Sequence, residues 1–144
     1  MLVTPTCRRR FDKEGKSVNT HGEYPDAIRW VAQKENVPLI ELNGMTTMLC
    51  DVLGVDGSMK LYVHYPAGTF PGQTREFKDN SHFSTYGAYE TAKCVVEGMK
   101  KAKLDIANYL RADYKGFNPA QPDKFETFKW NLCPFTEIEK PDGN

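Results

Sequence analysis

An acidic and a basic side chain three residues apart, Asp79 and His82, are the residues of this sequence whose types and spacing favour catalysis. An aspartate that accepts a hydrogen bond from one imidazole nitrogen leaves the other nitrogen unprotonated and oriented, which is how a hydrolase prepares a general base. An amphipathic run begins near Ser84, so the pair is expected just ahead of a helix. The spacing indicates an acid–base pair that still needs a nucleophile.

Two short apolar runs, residues 2–5 and residues 37–42, have the length and composition of buried strands. Pro38 cannot donate to a sheet ladder, so the second strand is expected to lie at a sheet edge or to pair only beyond its start. Residues 61–65 are a possible strand or turn within a stretch of weak pattern that runs up to Lys78.

Three runs with apolar residues at helical spacing predict helices. The first has Pro25 in its first turn and continues to Glu35. We expect Asn43 to cap the second helix and Gly54 to end it. The third helix is expected to begin at a cap supplied by Ser84 or by the threonine that follows it. Strands that alternate with helices favour an α/β fold.

The composition changes near residue 113. Residues 113–144 hold four prolines and scattered aromatic side chains, which predicts an extended tail that wraps a surface. Asp105 is expected to cap a short last helix before this change. The chain is therefore divided into a domain portion, residues 1–112, and a tail, residues 113–144.

The strand inventory is small for the number of amphipathic helices. A parallel pair of strands needs both faces covered and neighbours at its edges, and two strands give three helices little area to bury. From this shortage we expect the chain to be the C-terminal portion of a larger domain that lacks its N-terminal strands.

The composition is that of one ordinary globular domain. The chain has 144 residues, of which 40% are hydrophobic and 26% are charged, and its 19 basic residues balance its 19 acidic ones. The basic cluster at residues 8–10 precedes two acids and is interpreted as a solvated loop. No run approaches the roughly 20 apolar residues that a membrane-spanning helix requires, and residues 1–5 do not resemble a signal peptide. We expect a soluble chain with no nucleic-acid or membrane partner.

The four cysteines are widely spaced and form no Cys-x-x-Cys pair, which excludes a zinc ribbon. Cys50 and Cys94 fall in predicted helices, on or beside the apolar face, where a thiol usually acts as a small buried hydrophobe. The sequence leaves the disulfide state open for all four: Cys7, Cys50, Cys94 and Cys133. No metal ligand set or cofactor motif is recognised.

Three segments together resemble the rhamnogalacturonan acetylesterases, which belong to the SGNH or GDSL-like hydrolases. They are LVTPTCRRRFD at residues 2–12, VPLIEL at residues 37–42 and DNSHF at residues 79–83. The last is followed by Gly-Ala at residues 87–88, and the resemblance covers roughly residues 2–112. An isolated Asp-x-x-His segment occurs often by chance. The resemblance therefore depends on the order of all three segments, in which the arginine-rich loop comes first, the strand second and the Asp-x-x-His segment last.

The resemblance implies a flavodoxin-like, three-layer α/β/α sandwich around a five-stranded parallel sheet, and hydrolysis of acetyl esters on pectin. Matched to the family's Asp-x-x-His block, His82 would be the general base that deprotonates a serine, and Asp79 would orient the imidazole. The strands at residues 2–4 and 37–42 would match the family's fourth and fifth. Such enzymes are usually exported, which implies a secreted or periplasmic protein.

The chain departs from the family in lacking the Gly-Asp-Ser block of the nucleophile and the glycine and Gly-x-Asn-Asp blocks of the oxyanion hole. None of its four serines follows Gly-Asp; they are Ser17, Ser58, Ser81 and Ser84. We therefore expect the chain alone to be inactive or nearly so. A missing N-terminal half and an acetylated pectic polysaccharide are the implied partners.

Two alternatives remain beside this interpretation. His82 would also fit a satisfied histidine at a helix start, with Asp79 as a simple capping or loop residue, although the flanking segments favour the triad. At the level of function, the truncated fold would also serve as a non-catalytic module that binds carbohydrate or another protein. His21 and His64 lie outside every matched segment and are assigned no role.

Overall fold

The computed structural model describes residues 1–130 of the chain. In chain order the strands are β1 (Leu2–Val3), β2 (Leu39–Ile40), β3 (Tyr62–Tyr65) and β4 (Phe77–Phe83). The α-helices are α1 (Tyr24–Lys34), α2 (Leu42–Gly57) and α3 (Thr85–Lys101). Short 3-10 turns occupy Ser58–Leu61, Asp105–Tyr109 and Phe125–Thr127. Helices and strands alternate up to β3, as the α/β class predicts, and β4 then follows β3 directly.

The strands β1 and β2 pair in parallel, with Leu2 opposite Leu39 and Val3 opposite Ile40. The strand β2 begins directly after Pro38, whose carbonyl still accepts a hydrogen bond from the Leu2 amide (2.8 Å). The strand therefore begins one residue beyond its proline, as expected, and Pro38 takes part in the pairing only as an acceptor. Within the described residues no further strand pairs with β1 or β2, so this sheet has two strands.

The helices lie where the apolar spacing predicts them, but one expected cap is wrong. The carboxylate of Glu41, not Asn43, caps α2 by accepting a hydrogen bond from the Gly44 amide. At Gly54 the backbone leaves the helical region (φ 69°), as expected of the residue that ends the helix, and a further short helical piece continues α2 to Gly57. The predicted cap of α3 is confirmed, because the Ser84 hydroxyl accepts from the Gly87 amide at 3.1 Å.

An antiparallel hairpin of β3 and β4 precedes α3 and forms a second two-stranded sheet. The sequence allowed a strand at residues 61–65 and placed Asp79 and His82 just ahead of α3, where they lie. It did not predict that both residues belong to a strand, β4. Alternation failed to reveal β4 because all seven of its residues are at least partly exposed, so it has no buried face.

The core lies between the first sheet, α2, α3 and the start of β3. Its buried apolar members are Cys7, Ile40, Leu42, Leu49, Cys50, Leu61, Tyr62, Tyr86 and Cys94. The predicted burial of Cys50 and Cys94 is confirmed, with 1% and 0% of their surfaces exposed.

The helix α1 packs lightly, since only Pro25 and Ala32 are buried along it while Trp30 stays 60% exposed. The predicted tail runs along α3, where Phe117 and Phe128 pack against the core. Asp105 lies inside a 3-10 turn capped by Leu104 and is not the cap that the sequence suggested. The proposed boundary at residue 113 stays a prediction, and Cys133 lies outside the described residues. No helix among residues 1–130 is both long and apolar enough to cross a membrane.

Candidate active site

Asp79 and His82 sit in a wide irregularity of the β3–β4 hairpin. The pairing of Tyr62 with Phe83 and of His64 with Lys78 leaves residues 79–82 opposite Val63 alone. Extra residues in one strand bend it and turn side chains out of the regular alternation. We call residues 79–82 the bulge. Within the bulge, both predicted site residues project from the sheet.

The carboxylate of Asp79 organises the bulge. Its Oδ1 accepts hydrogen bonds from the backbone amides of Ser81 (2.6 Å) and His82 (2.9 Å). Its Oδ2 lies 2.6 Å from Nδ1 of His82. Because an ionised carboxylate offers only acceptors, Nδ1 carries the proton and Nε2 is left as the basic nitrogen. The His82 side chain is 81% exposed, and within the described residues Nε2 makes no hydrogen bond.

Hydrogen bonding holds the Asp79 carboxyl group in its charged form. The backbone amide of His82, then that of Ser81, and then the imidazole of His82 lower the pKa of Asp79 from its ordinary value near 3.8 to about 2. A carboxylate that accepts several hydrogen bonds is stabilised over its neutral form. Asp79 therefore remains an anion, able to orient His82, at all but strongly acidic pH.

We expect the Asp79 carboxyl group to titrate near pH 2 in this chain and to stay low in the variant His82→Ala, because backbone amides are the leading cause of the shift. The bulge gains stability from this group above its unfolded pKa and loses it as the pH falls from about 4 toward 2. The measurement is the ¹³Cγ shift of Asp79 against pH. A midpoint that returns to its ordinary value in His82→Ala would assign the shift to the imidazole instead.

Arg9 contacts the bulge through both its backbone and its side chain. Its backbone amide donates to the Asn80 carbonyl (2.9 Å), and its Nη1 donates to Asn80 Oδ1 (3.2 Å). His64 Nε2 also lies 2.8 Å from Asn80 Oδ1, so Arg9 and His64 both contact the side-chain oxygen of Asn80. The Arg9 Nε donates to the Ser58 hydroxyl at 3.1 Å, which ties the bulge to the end of α2.

The sequence missed both of these positioning side chains. The arginine cluster at residues 8–10 was interpreted as a solvated loop, but Arg9 is half-buried and makes four hydrogen bonds to the site's surroundings. His64 was assigned no role, and it contacts the bulge. The sequence signal for this contact was that the arginine-rich loop and the Asp-x-x-His segment occur together. In the structure Arg9 of the loop binds Asn80 of that segment.

The serines of the chain do not complete a triad. Ser84 donates to the Lys60 carbonyl (2.6 Å) while capping α3, and Ser58 donates to the Val55 carbonyl (3.1 Å). All four serines are among the described residues, and none of their hydroxyl groups hydrogen-bonds to the His82 ring there. Within residues 1–130, no cluster of three or more His, Cys, Asp and Glu side chains could hold a metal ion.

The chain is similar in sequence to curated bacterial proteins. The rhamnogalacturonan acetylesterase RhgT of Bacillus subtilis is 38% identical over 110 residues, which is 76% of this chain and 47% of RhgT. The chain is related to the rhamnogalacturonan acetylesterases. A probable rhamnogalacturonan acetylesterase of the same organism, YesY, is 27% identical over 110 residues, or 76% of this chain and 46% of YesY. No protein-family model matches the chain.

A solved structure supports the fold. The crystal structure of the Bacillus subtilis protein YxiM matches 72% of this chain and 26% of its own, with a TM-score of 0.55 and 24% identity. The predicted resemblance to the rhamnogalacturonan acetylesterases is therefore confirmed, and the α/β class of the fold is confirmed as well. The chain spans about half the length of the curated relatives that it matches.

Proposed function

We propose that this chain supplies the acid–base pair of a carbohydrate esterase that removes acetyl groups from rhamnogalacturonan. His82 is the general base, and Asp79 orients it. The observation that carries the proposal is the 2.6 Å contact between Asp79 Oδ2 and His82 Nδ1, which leaves Nε2 open to solvent. The substrate class comes from the names of the two curated relatives.

In this chemistry Nε2 of His82 takes the proton of a serine hydroxyl as its oxygen attacks the acetyl carbonyl carbon. The imidazolium that forms is stabilised by the Asp79 carboxylate. His82 then returns the proton to the sugar oxygen as the ester bond breaks and an acetyl-serine remains. A water molecule, deprotonated by the same nitrogen, releases acetate and restores the serine.

The serine and the oxyanion hole come from outside this chain in the proposal. Three exposed apolar side chains support the idea that another part of the protein covers this side of the chain. Val3 is 38% exposed, Trp30 is 60% exposed and Met48 is 44% exposed. Among the described residues β1 pairs only with β2, so its second edge offers free backbone groups to another strand. An N-terminal half with a parallel strand at that edge would cover these groups. A polysaccharide substrate implies that the assembled protein is exported.

The test joins this chain to the part of RhgT that it does not match and measures acetate released from acetylated rhamnogalacturonan. We expect release by the joined protein and none above background by this chain alone, since nothing here replaces the nucleophile. Release by the isolated chain that survives His82→Ala would overturn the assignment of His82.

The non-catalytic alternative has one observation in its favour. A groove of about 580 Å³ between the hairpin, the start of α3 and the tail is lined by several aromatic side chains. They are Tyr62, Tyr65, Phe77, Tyr86, Phe125 and Phe128. Aromatic faces also stack on sugars. If the folded joined protein releases no acetate while the isolated chain binds the polysaccharide, carbohydrate binding becomes the better assignment.

A further inference from the structure

Two thiols on separate segments contact each other in the core, close to the arginine-rich loop at residues 8–10. Cys7 follows β1, Cys50 lies on α2, and their sulfur atoms are 3.4 Å apart. The Cys7 amide donates to the hydroxyl of Thr46 at 2.9 Å, one helical turn before Cys50. The two backbones are therefore already held against each other. A disulfide bond would draw the sulfurs to about 2.0 Å with little movement of either segment.

Tyr62 fixes the geometry of the pair. Its hydroxyl donates to the Cys7 carbonyl at 2.8 Å and lies 3.5 Å and 3.6 Å from the sulfurs of Cys7 and Cys50. The hydrogen bond between the thiols lowers the pKa of the thiol that ionises and raises the pKa of its partner. The thiolate is the form that attacks oxidants.

Cys7 also faces a small cavity. The cavity measures about 210 Å³, and Cys7, Ser17 and Thr20 contribute to its wall. The hydroxyl groups of Ser17 and Thr20 are buried, and neither has a hydrogen-bond partner among the described residues. A polar cavity of this size admits several molecules as small as water. It gives a small polar oxidant a place beside Cys7, whereas Cys50 is not part of the cavity wall.

We propose that Cys7 and Cys50 are a peroxide-oxidised redox pair, with Cys7 as the attacking thiol and Cys50 as the resolving thiol. The Cys7 thiolate attacks one oxygen of hydrogen peroxide, the O–O bond breaks, and hydroxide leaves while Cys7 becomes a sulfenic acid. The Cys50 sulfur then attacks the Cys7 sulfur, and water leaves as the disulfide forms. Two thiols lose two electrons and two protons, and one peroxide is reduced to two waters.

The disulfide acts on the segment that positions the bulge. Cys7 lies two residues before Arg9, whose guanidinium and amide both bind Asn80. Linking Cys7 to α2 fixes the start of the arginine loop covalently, and a cross-link also restricts the unfolded chain. This inference concerns the thiols alone and stands whether or not the chain belongs to an esterase.

The test treats the folded, reduced chain with hydrogen peroxide and measures its intact mass and its proteolytic peptides. We expect a loss of two hydrogen masses and a linked peptide pair that contains Cys7 and Cys50. The thermal midpoint of the oxidised chain should lie about 10 °C above that of the same chain in dithiothreitol. In Cys50→Ala and Cys50→Ser, a sulfenic acid that dimedone traps should appear at Cys7.

Cys94 supplies the matched control, because it is as buried as Cys50 but pairs with no thiol among the described residues. Burial raises its pKa to about 12. Cys94→Ala should form the same disulfide at the same rate as the parent. The proposal fails if Cys7 and Cys50 stay reduced in the folded chain, if the linked peptides contain Cys133 instead, or if the pair forms only in denaturant.

Discussion

His82→Ala is expected to lower acetate release by about 10⁶-fold in the protein that joins this chain to the unmatched part of RhgT. The loss should fall on kcat, because His82 moves the proton in the transition state and contributes little to substrate binding. The geometry supports this size of effect: Nε2 is the free nitrogen of an imidazole whose other nitrogen is held by Asp79 at 2.6 Å.

Asp79→Asn should lower acetate release less, by about 10⁴-fold, and for a different reason. The asparagine can donate a hydrogen bond to Nδ1, which favours the tautomer that carries its proton on Nε2. That tautomer cannot accept the proton of a serine. The asparagine can still accept the amides of Ser81 and His82 through its oxygen, so the bulge should keep its shape.

The matched controls are His21→Ala and Asp113→Asn. The His21 ring contacts the Thr6 carbonyl and Asp113 pairs with Arg111, so neither side chain touches the bulge. Both variants should retain acetate release within a few fold of the parent. A folded Asp79→Asn protein, checked by circular dichroism, that releases acetate at the parent's rate would remove Asp79 from the mechanism.

The parts of this fold that the sequence predicted are those with strong local signals. Apolar residues at helical spacing located α1, α2 and α3, and the serine before α3 was the expected cap. The strand β2 was located by an apolar run whose proline set where pairing starts. Asp79 and His82 were predicted as a pair because only two residues separate them in the chain.

The parts that the sequence did not predict depend on contacts between distant residues. The strand β4 exists because it pairs with β3, and its mixed polar residues carry no alternation of their own. Arg9 reaches Asn80 across 71 positions of the chain, and no local pattern records such a contact. Glu41 displaced Asn43 as the cap of α2 because its side chain is also held by Arg29, at 2.7 Å.

The site is placed by the close approach of α3 to the chain segment before β3, and Gly87 makes that approach possible. A Cβ atom at Gly87 would lie 1.8 Å from the Leu61 carbonyl oxygen, which is backbone and cannot rotate away. The Leu61 carbonyl accepts from the Ser84 amide at 3.0 Å, and the Ser84 hydroxyl donates to the Lys60 carbonyl. The first turn of α3 is thus fastened to the segment from which β3 and the hairpin start.

Gly87→Ala is therefore expected to lower the free energy of unfolding by about 3 kcal/mol. Alanine favours a helix over glycine by about 1 kcal/mol, and this gain is outweighed because α3 must move away from Leu61. The measurement is urea unfolding followed by circular dichroism. The displaced helix start lies directly after the bulge, so the amide signals of Asp79 and His82 should shift as well.

Gly44→Ala is the control, since it adds the same methyl group to the first turn of α2. There the new Cβ would lie 3.7 Å from the Glu41 side chain, an ordinary contact. That variant should be as stable as the parent or gain up to about 1 kcal/mol from helix propensity. If Gly87→Ala behaved like Gly44→Ala, the backbone contact with Leu61 would not be what sets the position of α3, and the bulge would owe its place to Arg9 and the β3 ladder alone.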